Sequence, residues 1–189
     1  AADSRILLNA VRATGLQYTS PTVNGLQAVV DYGSGSQKRS VDAAGADSRV
    51  SNAGLTLRYT AGKLAIAATS HTLKYDYAAD SNTINTTDYQ AVSARYAVNS
   101  QLAVNALYAK NKTKNQAGTQ SSKNDVTQVG VAYTMGKTSL VAQYGEGEGE
   151  TAPNTELRDR KGYQLGAIYN LSKRTNLYAI YGSQEGKFV

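Results

Sequence analysis

Apolar and polar residues alternate with period two along most of this chain. Val92, Ala94, Tyr96 and Val98 alternate with Ser93, Arg95 and Ala97. Asn99 and Ser100 interrupt the run, and Leu102, Val104, Ala106 and Tyr108 then alternate with Ala103, Asn105 and Leu107. Two alternating arms about a short polar turn predict a β-hairpin. The unit recurs. A tyrosine stands three residues before each of Pro21, Gly62, Asn99, Gly136 and Ser172. These tyrosines (Tyr18, Tyr59, Tyr96, Tyr133 and Tyr169) are 41, 37, 37 and 36 residues apart. A period of this size marks a repeated supersecondary unit, here a hairpin plus a longer connection.

The alternation predicts about ten strands. The first covers roughly residues 12–20, and Pro21 to Gly25 turns the chain into a second that ends near Ser34. The third carries Leu55, Leu57 and Tyr59; the fourth runs from Leu64 to about Lys74. Turns are predicted at 61–63, 99–100, 136–137 and 172–174, and long polar loops up to Arg49 and over 77–87, 110–123 and 145–160. Short turns thus lie at one end and long loops at the other. Outer-membrane barrels have this asymmetry. The second alternating set contains Gln17, Gln27, Thr56, Arg58, Arg95, Asn105, Gln128, Gln143, Gln164 and Asn170. So many polar groups do not fit a dry core, where each unpaired one costs ~1–3 kcal/mol. They fit a water-filled lumen. The expected architecture is an all-β, antiparallel, up-and-down transmembrane β-barrel occupying residues 1–189 as one domain. The turn-proximal tyrosines would form one aromatic girdle; Tyr32, Tyr108, Tyr144 and Tyr181 would form the other.

Composition narrows the classes. No apolar run approaches the length of a transmembrane helix, and mean hydropathy is −0.43, but alternating strands cross a membrane with only every second residue apolar. Fourteen Tyr against one Phe and no Trp suit a water–lipid boundary. Cysteine is absent, which excludes disulfides and thiolate metal sites. The net charge of +6 is compatible with anionic solutes, an anionic surface or nucleic acid. No aromatic platform or known module accompanies the basic residues, so nucleic acid is not an expected partner. The opening residues show no signal peptide, which implies a mature form or a fragment.

Two runs resemble a known family. Tyr18-Thr19-Ser20-Pro21-Thr22-Val23-Asn24-Gly25-Leu26 is similar to the strand–turn–strand after the constriction loop of general porins of β-proteobacteria. Tyr169-Asn170-Leu171-Ser172-Lys173-Arg174-Thr175-Asn176-Leu177-Tyr178-Ala179 is similar to their last periplasmic turn. The resemblance implies a sixteen-stranded, homotrimeric, multi-pass barrel of the bacterial outer membrane. It implies passive diffusion of small hydrophilic solutes, neutral or anionic, with lipid and lipopolysaccharide around it and no cofactor. Five leading strands, most of the constriction loop and a closing strand have no counterpart here. An open sheet would leave two unpaired edges, which lipid does not tolerate, so an incomplete segment is expected rather than a ten-stranded relative.

The candidate pore-lining residues are Arg58, Arg95, Lys63, Gln17, Asn105, Gln128, Gln143 and Gln164. Arg58 and Arg95 occupy equivalent places on alternate strands and would form one tier of a basic ladder that attracts anions. The plainer reading pairs each with an acid elsewhere. His71, the only histidine, reads as a polar residue near a strand end rather than a catalytic base. It is the one anchor for the alternative of a barrel protease or lipase; a structural or adhesin barrel is the other alternative. The Gly/Glu run at 145–150 lacks the Lys-Ser/Thr of a phosphate loop and has the wrong charge. It reads as a solvated loop rather than a Ca²⁺ or Mg²⁺ ligand set, and no metal site is expected. Lys110, Lys112, Lys114 and Lys123 form a basic rim around another loop.

Overall fold

A computed structural model describes residues 14–38, 47–77, 84–115, 117–151 and 156–188. These form one antiparallel sheet of ten strands in sequence order. The strands are β1 (Thr14–Thr19), β2 (Leu26–Lys38), β3 (Asp47–Ala61), β4 (Leu64–Tyr77), β5 (Ile84–Ala97), β6 (Leu102–Lys114), β7 (Gln120–Met135), β8 (Thr138–Thr151), β9 (Glu156–Asn170) and β10 (Asn176–Phe188). Each pairs only with its sequence neighbours, the up-and-down order of the fold class. The early approach segment, residues 1–10, lies outside the described residues.

The short turns follow from local chemistry. Asn24 and Gly25 both have positive φ, 49° and 82°, as a two-residue type I′ hairpin requires. The bend is therefore tighter than the Pro21-to-Gly25 span suggested. Gly62 and Gly136 stand first in their two-residue turns with φ of 54° and 55°. The β5–β6 turn is longer than two residues. Asn99 Oδ1 accepts from the backbone N–H of Gln101 and Leu102, both at 2.8 Å, and so holds an Asx-type bend. Ser172 Oγ does the same for Arg174 and Thr175 at 3.1 Å.

The opposite ends differ from the expected loops. Strands β2 to β10 run 13–16 residues, whereas about 9–11 cross a bilayer. Most of 110–123 and 145–160 is ladder: Lys110↔Asp125 and Lys112↔Lys123 are paired, as are Lys123↔Glu150 and Asp125↔Glu148. The period of two continues there, with Lys or Glu replacing the apolar residue at every second place. Hydropathy falls while pairing goes on, so polarity alone reads as loop.

The register sorts the side chains into two faces. One carries Leu16, Tyr18, Val30, Leu57, Tyr59, Val104, Val131, Leu165 and Tyr169, all exposed. The other is crowded although, among the described residues, no second layer is stacked on it. Along β6 the burial pattern alternates, with Ala103 and Ala109 buried and Val104, Ala106 and Tyr108 open. Glycines on the crowded face have little room: a Cβ at Gly147 would lie 2.7 Å from Asp125 O, and one at Gly162 2.8 Å from Ser183 O. A single layer that crowds one side is curved toward it. The apolar face is therefore convex and the polar face concave. Among the described residues only Val29, Val50, Leu73, Ala103 and Ala109 are buried apolar side chains. Moving a large apolar side chain out of water is worth ~1.5–3 kcal/mol, so this sheet is built for an apolar medium on its convex side.

Candidate functional site

Arg58 lies between Gln27 and Ala67 in the register, and Arg95 between Ala65 and Asn105. Both are exposed on the concave face. They flank the alanine column of β4, offset by two residues rather than level. With ~4.8 Å per strand and ~3.3 Å per residue, their Cα atoms stand roughly 12 Å apart. Neither has an ion-pair partner among the described residues.

Gln17, Asn105, Gln128, Gln143 and Gln164 share that face through the register. Several polar groups there satisfy one another across strands. Gln128 Nε2 donates to Gln143 Oε1 at 2.6 Å, Asn124 Nδ2 to Asn111 Oδ1 at 2.9 Å, and the Thr56 and Thr69 hydroxyls are 2.7 Å apart. Such pairs satisfy part of the hydrogen-bonding capacity of these side chains within the wall. Lys63 does something else: its Nζ donates to Val98 O at 2.8 Å, tying one short turn to the next.

Arg160 was hidden in the supposed loop. It continues the concave face of β9, opposite Gly147 and Gly186. Its place was legible only by extending the alternation back from Gln164. Among the described side chains on strands, the concave face thus carries Arg58, Arg95 and Arg160 against one acid, Asp31.

His71 stands in the middle of β4, not near its end. Its Nδ1 is 3.5 Å from Asp31 Oδ2. On the convex side Tyr18, Tyr59, Tyr96, Tyr133 and Tyr169 mark the turn-proximal border, and Tyr32, Tyr108, Tyr144 and Tyr181 the far one. Beyond the far border Lys123 Nζ and Asp125 Oδ2 are 2.8 Å apart. That ammonium holds the Asp125 carboxyl below the usual carboxylate range, helped by a bond from Tyr108.

A curved sheet with an apolar, tyrosine-bordered outer face and a hydrated inner face is the wall of a transmembrane β-barrel. The family model described as Gram-negative porin matches residues 3–188, and the chain belongs to that family. Its place is the bacterial outer membrane. The resemblance at the first and last turns holds at the level of the family. No curated protein sequence matches the chain.

Solved structures agree on the fold. A loop L8 deletion mutant of OmpT, an outer membrane protein of Vibrio cholerae, superposes with a TM-score of 0.73 at 17% identity over 92% of this chain and 57% of that one. The anion-selective porin of Comamonas acidovorans gives 0.72 at 20% identity, over 92% and 49%. OmpT of Vibrio cholerae folded in vitro, in a trimer form, gives 0.61 at 18% identity, over 92% and 55%. The chain spans about half the length of these structures.

Proposed function

We propose that this chain supplies part of the wall of an outer-membrane channel for passive diffusion of small hydrophilic solutes, with a preference for anions. The observation that carries the reading is the charge of the concave face: among the described side chains, three arginines against one aspartate, with amide side chains between them. Fixed cationic groups on a water-lined, low-dielectric wall raise the local concentration of anions and lower the barrier to their passage. Arg58 and Arg95 are separated by about a Debye length at 0.1 M salt, so their fields overlap and weaken together as salt rises. The porin family and the anion-selective neighbour support the reading, and the neighbour in a trimer form supports a homotrimer. The tyrosine borders suit a lipid belt, with lipopolysaccharide at its outer rim. The hydrolase alternative draws less support, because His71 sits in mid-wall rather than at the loop ends.

Reversal potentials of the full-length protein across a KCl gradient test the preference. Wild type should favour Cl⁻ over K⁺. The double change Arg58→Glu and Arg95→Glu should move selectivity toward cations, more at low salt than at high. Wild-type cation preference, or a double mutant with unchanged potentials, would place the selective field elsewhere in the barrel.

A further inference from the structure

We infer that Asp31 and His71, steadied by Asn52, form a binding site for a divalent transition-metal ion on the concave face. The register sets Asp31, Gly54 and His71 in one row across β2, β3 and β4. Gly54 is what lets the outer two meet. A Cβ there would overlap the His71 ring and sit 2.6 Å from Asp31 Oδ1. Without one, the imidazole lies across β3 and brings Nδ1 to 3.5 Å from Asp31 Oδ2. Asn52 Nδ2 donates to that same oxygen at 3.2 Å. The His71 and Asp31 side chains are only 14% and 18% exposed, in a sheet one layer thick.

The spacing leaves room for a metal ion between the two groups. A good N–H···O bond is about 2.7–3.2 Å long, shorter than the distance here. Zinc binds imidazole nitrogen and carboxylate oxygen at ~2.0–2.2 Å, so neighbouring ligands of a tetrahedral ion lie roughly 3.3–3.5 Å apart. Asp31 and His71 are spaced as two ligands of one ion. Imidazole with carboxylate suits zinc, copper or nickel, whereas Mg²⁺ and Ca²⁺ take all-oxygen sets. Water completes the coordination from the lumen side. The Asn52 amide fixes the carboxylate, as outer-shell partners of metal ligands do. Asp31 is also the lone acid among the described concave-face side chains. An ion there turns the one negative point of the wall positive, ~13 Å along β3 from Arg58 at about 3.3 Å per residue.

Binding can be read without any channel activity, so this inference stands or falls apart from the proposed function. His71 is the sole histidine of the 189 residues, and comparison with a His71→Ala variant assigns its imidazole NMR signals in the full-length protein. The full-length protein, folded in detergent micelles, is titrated with Zn²⁺. Wild type should show a saturable shift of the His71 signals. Asp31→Asn should bind at least about tenfold more weakly, since even outer-shell changes cost 10–100-fold. Gly54→Ala removes no ligand but displaces the ring, and should weaken binding as much; it serves if Asp31→Asn does not fold. No saturation up to millimolar Zn²⁺, or an unchanged affinity in either variant, overturns the site.

Discussion

The same ladder runs through two solvents. In the turn-proximal half, the convex positions of β6 are Leu102, Val104 and Ala106, and those of β8 are Leu140 and Ala142. Past Tyr108 and Tyr144 they become Lys110, Lys112 and Lys114, and Glu146, Glu148 and Glu150. Pairing continues across this border, and the β6–β7 register shifts only near the strand end, between Thr113 and Lys114. Backbone pairing therefore sets where the strands run, and the identity of every second side chain sets only what surrounds them. The tyrosine row is where one environment gives way to the other, as expected for amphipathic rings.

The largest effect should come from erasing that difference on one side only. Val131→Arg puts a guanidinium in the middle of the apolar band and should cost ~2–4 kcal/mol, while Thr127→Arg, on the same strand at the border, should cost about 0–1. Urea unfolding from lipid vesicles measures both. Equal costs would mean that the convex face does not meet lipid.

A smaller effect should come from the concave side. Gly162→Ala drives a methyl against Ser183 O and should lose ~1–3 kcal/mol by overpacking. Gly145→Ala, on the paired position, meets nothing closer than 3.4 Å and should be neutral or gain a few tenths of a kcal/mol from a less flexible unfolded chain. Thermal unfolding of the two variants sets the curvature of the wall against the plain entropy of glycine.

The smallest effect belongs to the charged half. The Asp125 carboxyl is held low by Lys123, so its contribution to stability is present above the unfolded aspartate value of about 3.9. It is lost as pH falls through the lower folded value. Asp125→Asn should therefore be slightly less stable than wild type at neutral pH and equal to it in strong acid. Water on the exposed pair keeps the difference small. A difference that grew with acidity would mean the pair is unfavourable.

Much of this was legible in the sequence because period two needs no partner to be read. Val92 to Tyr108 states its own faces, and the register keeps Gln17, Arg58, Gln128 and Gln164 together. Two things were not legible. Strand ends hid where Lys110–Lys114 and Glu146–Glu150 kept the period but lost the hydropathy. The Asp31–His71 contact hid because it depends on register across three strands: residues 31, 54 and 71 become neighbours only once two hairpin offsets are known. The glycine between them signals nothing until both flanks are placed.

Because each of β2 to β10 pairs with the strand made just before it, no strand between β1 and β10 waits for a distant partner. Closing entropy is spent in small instalments, one hairpin at a time, and a low mean sequence separation favours rapid zipping. The arrangement also carries a parity rule. Adding or deleting one 37-residue unit leaves every remaining turn on its own side of the membrane and every arginine on its own face, and changes only the circumference. Losing a single strand would send the rest of the chain through the wrong side. A lineage built from such units can widen or narrow its wall by whole hairpins, and by nothing smaller.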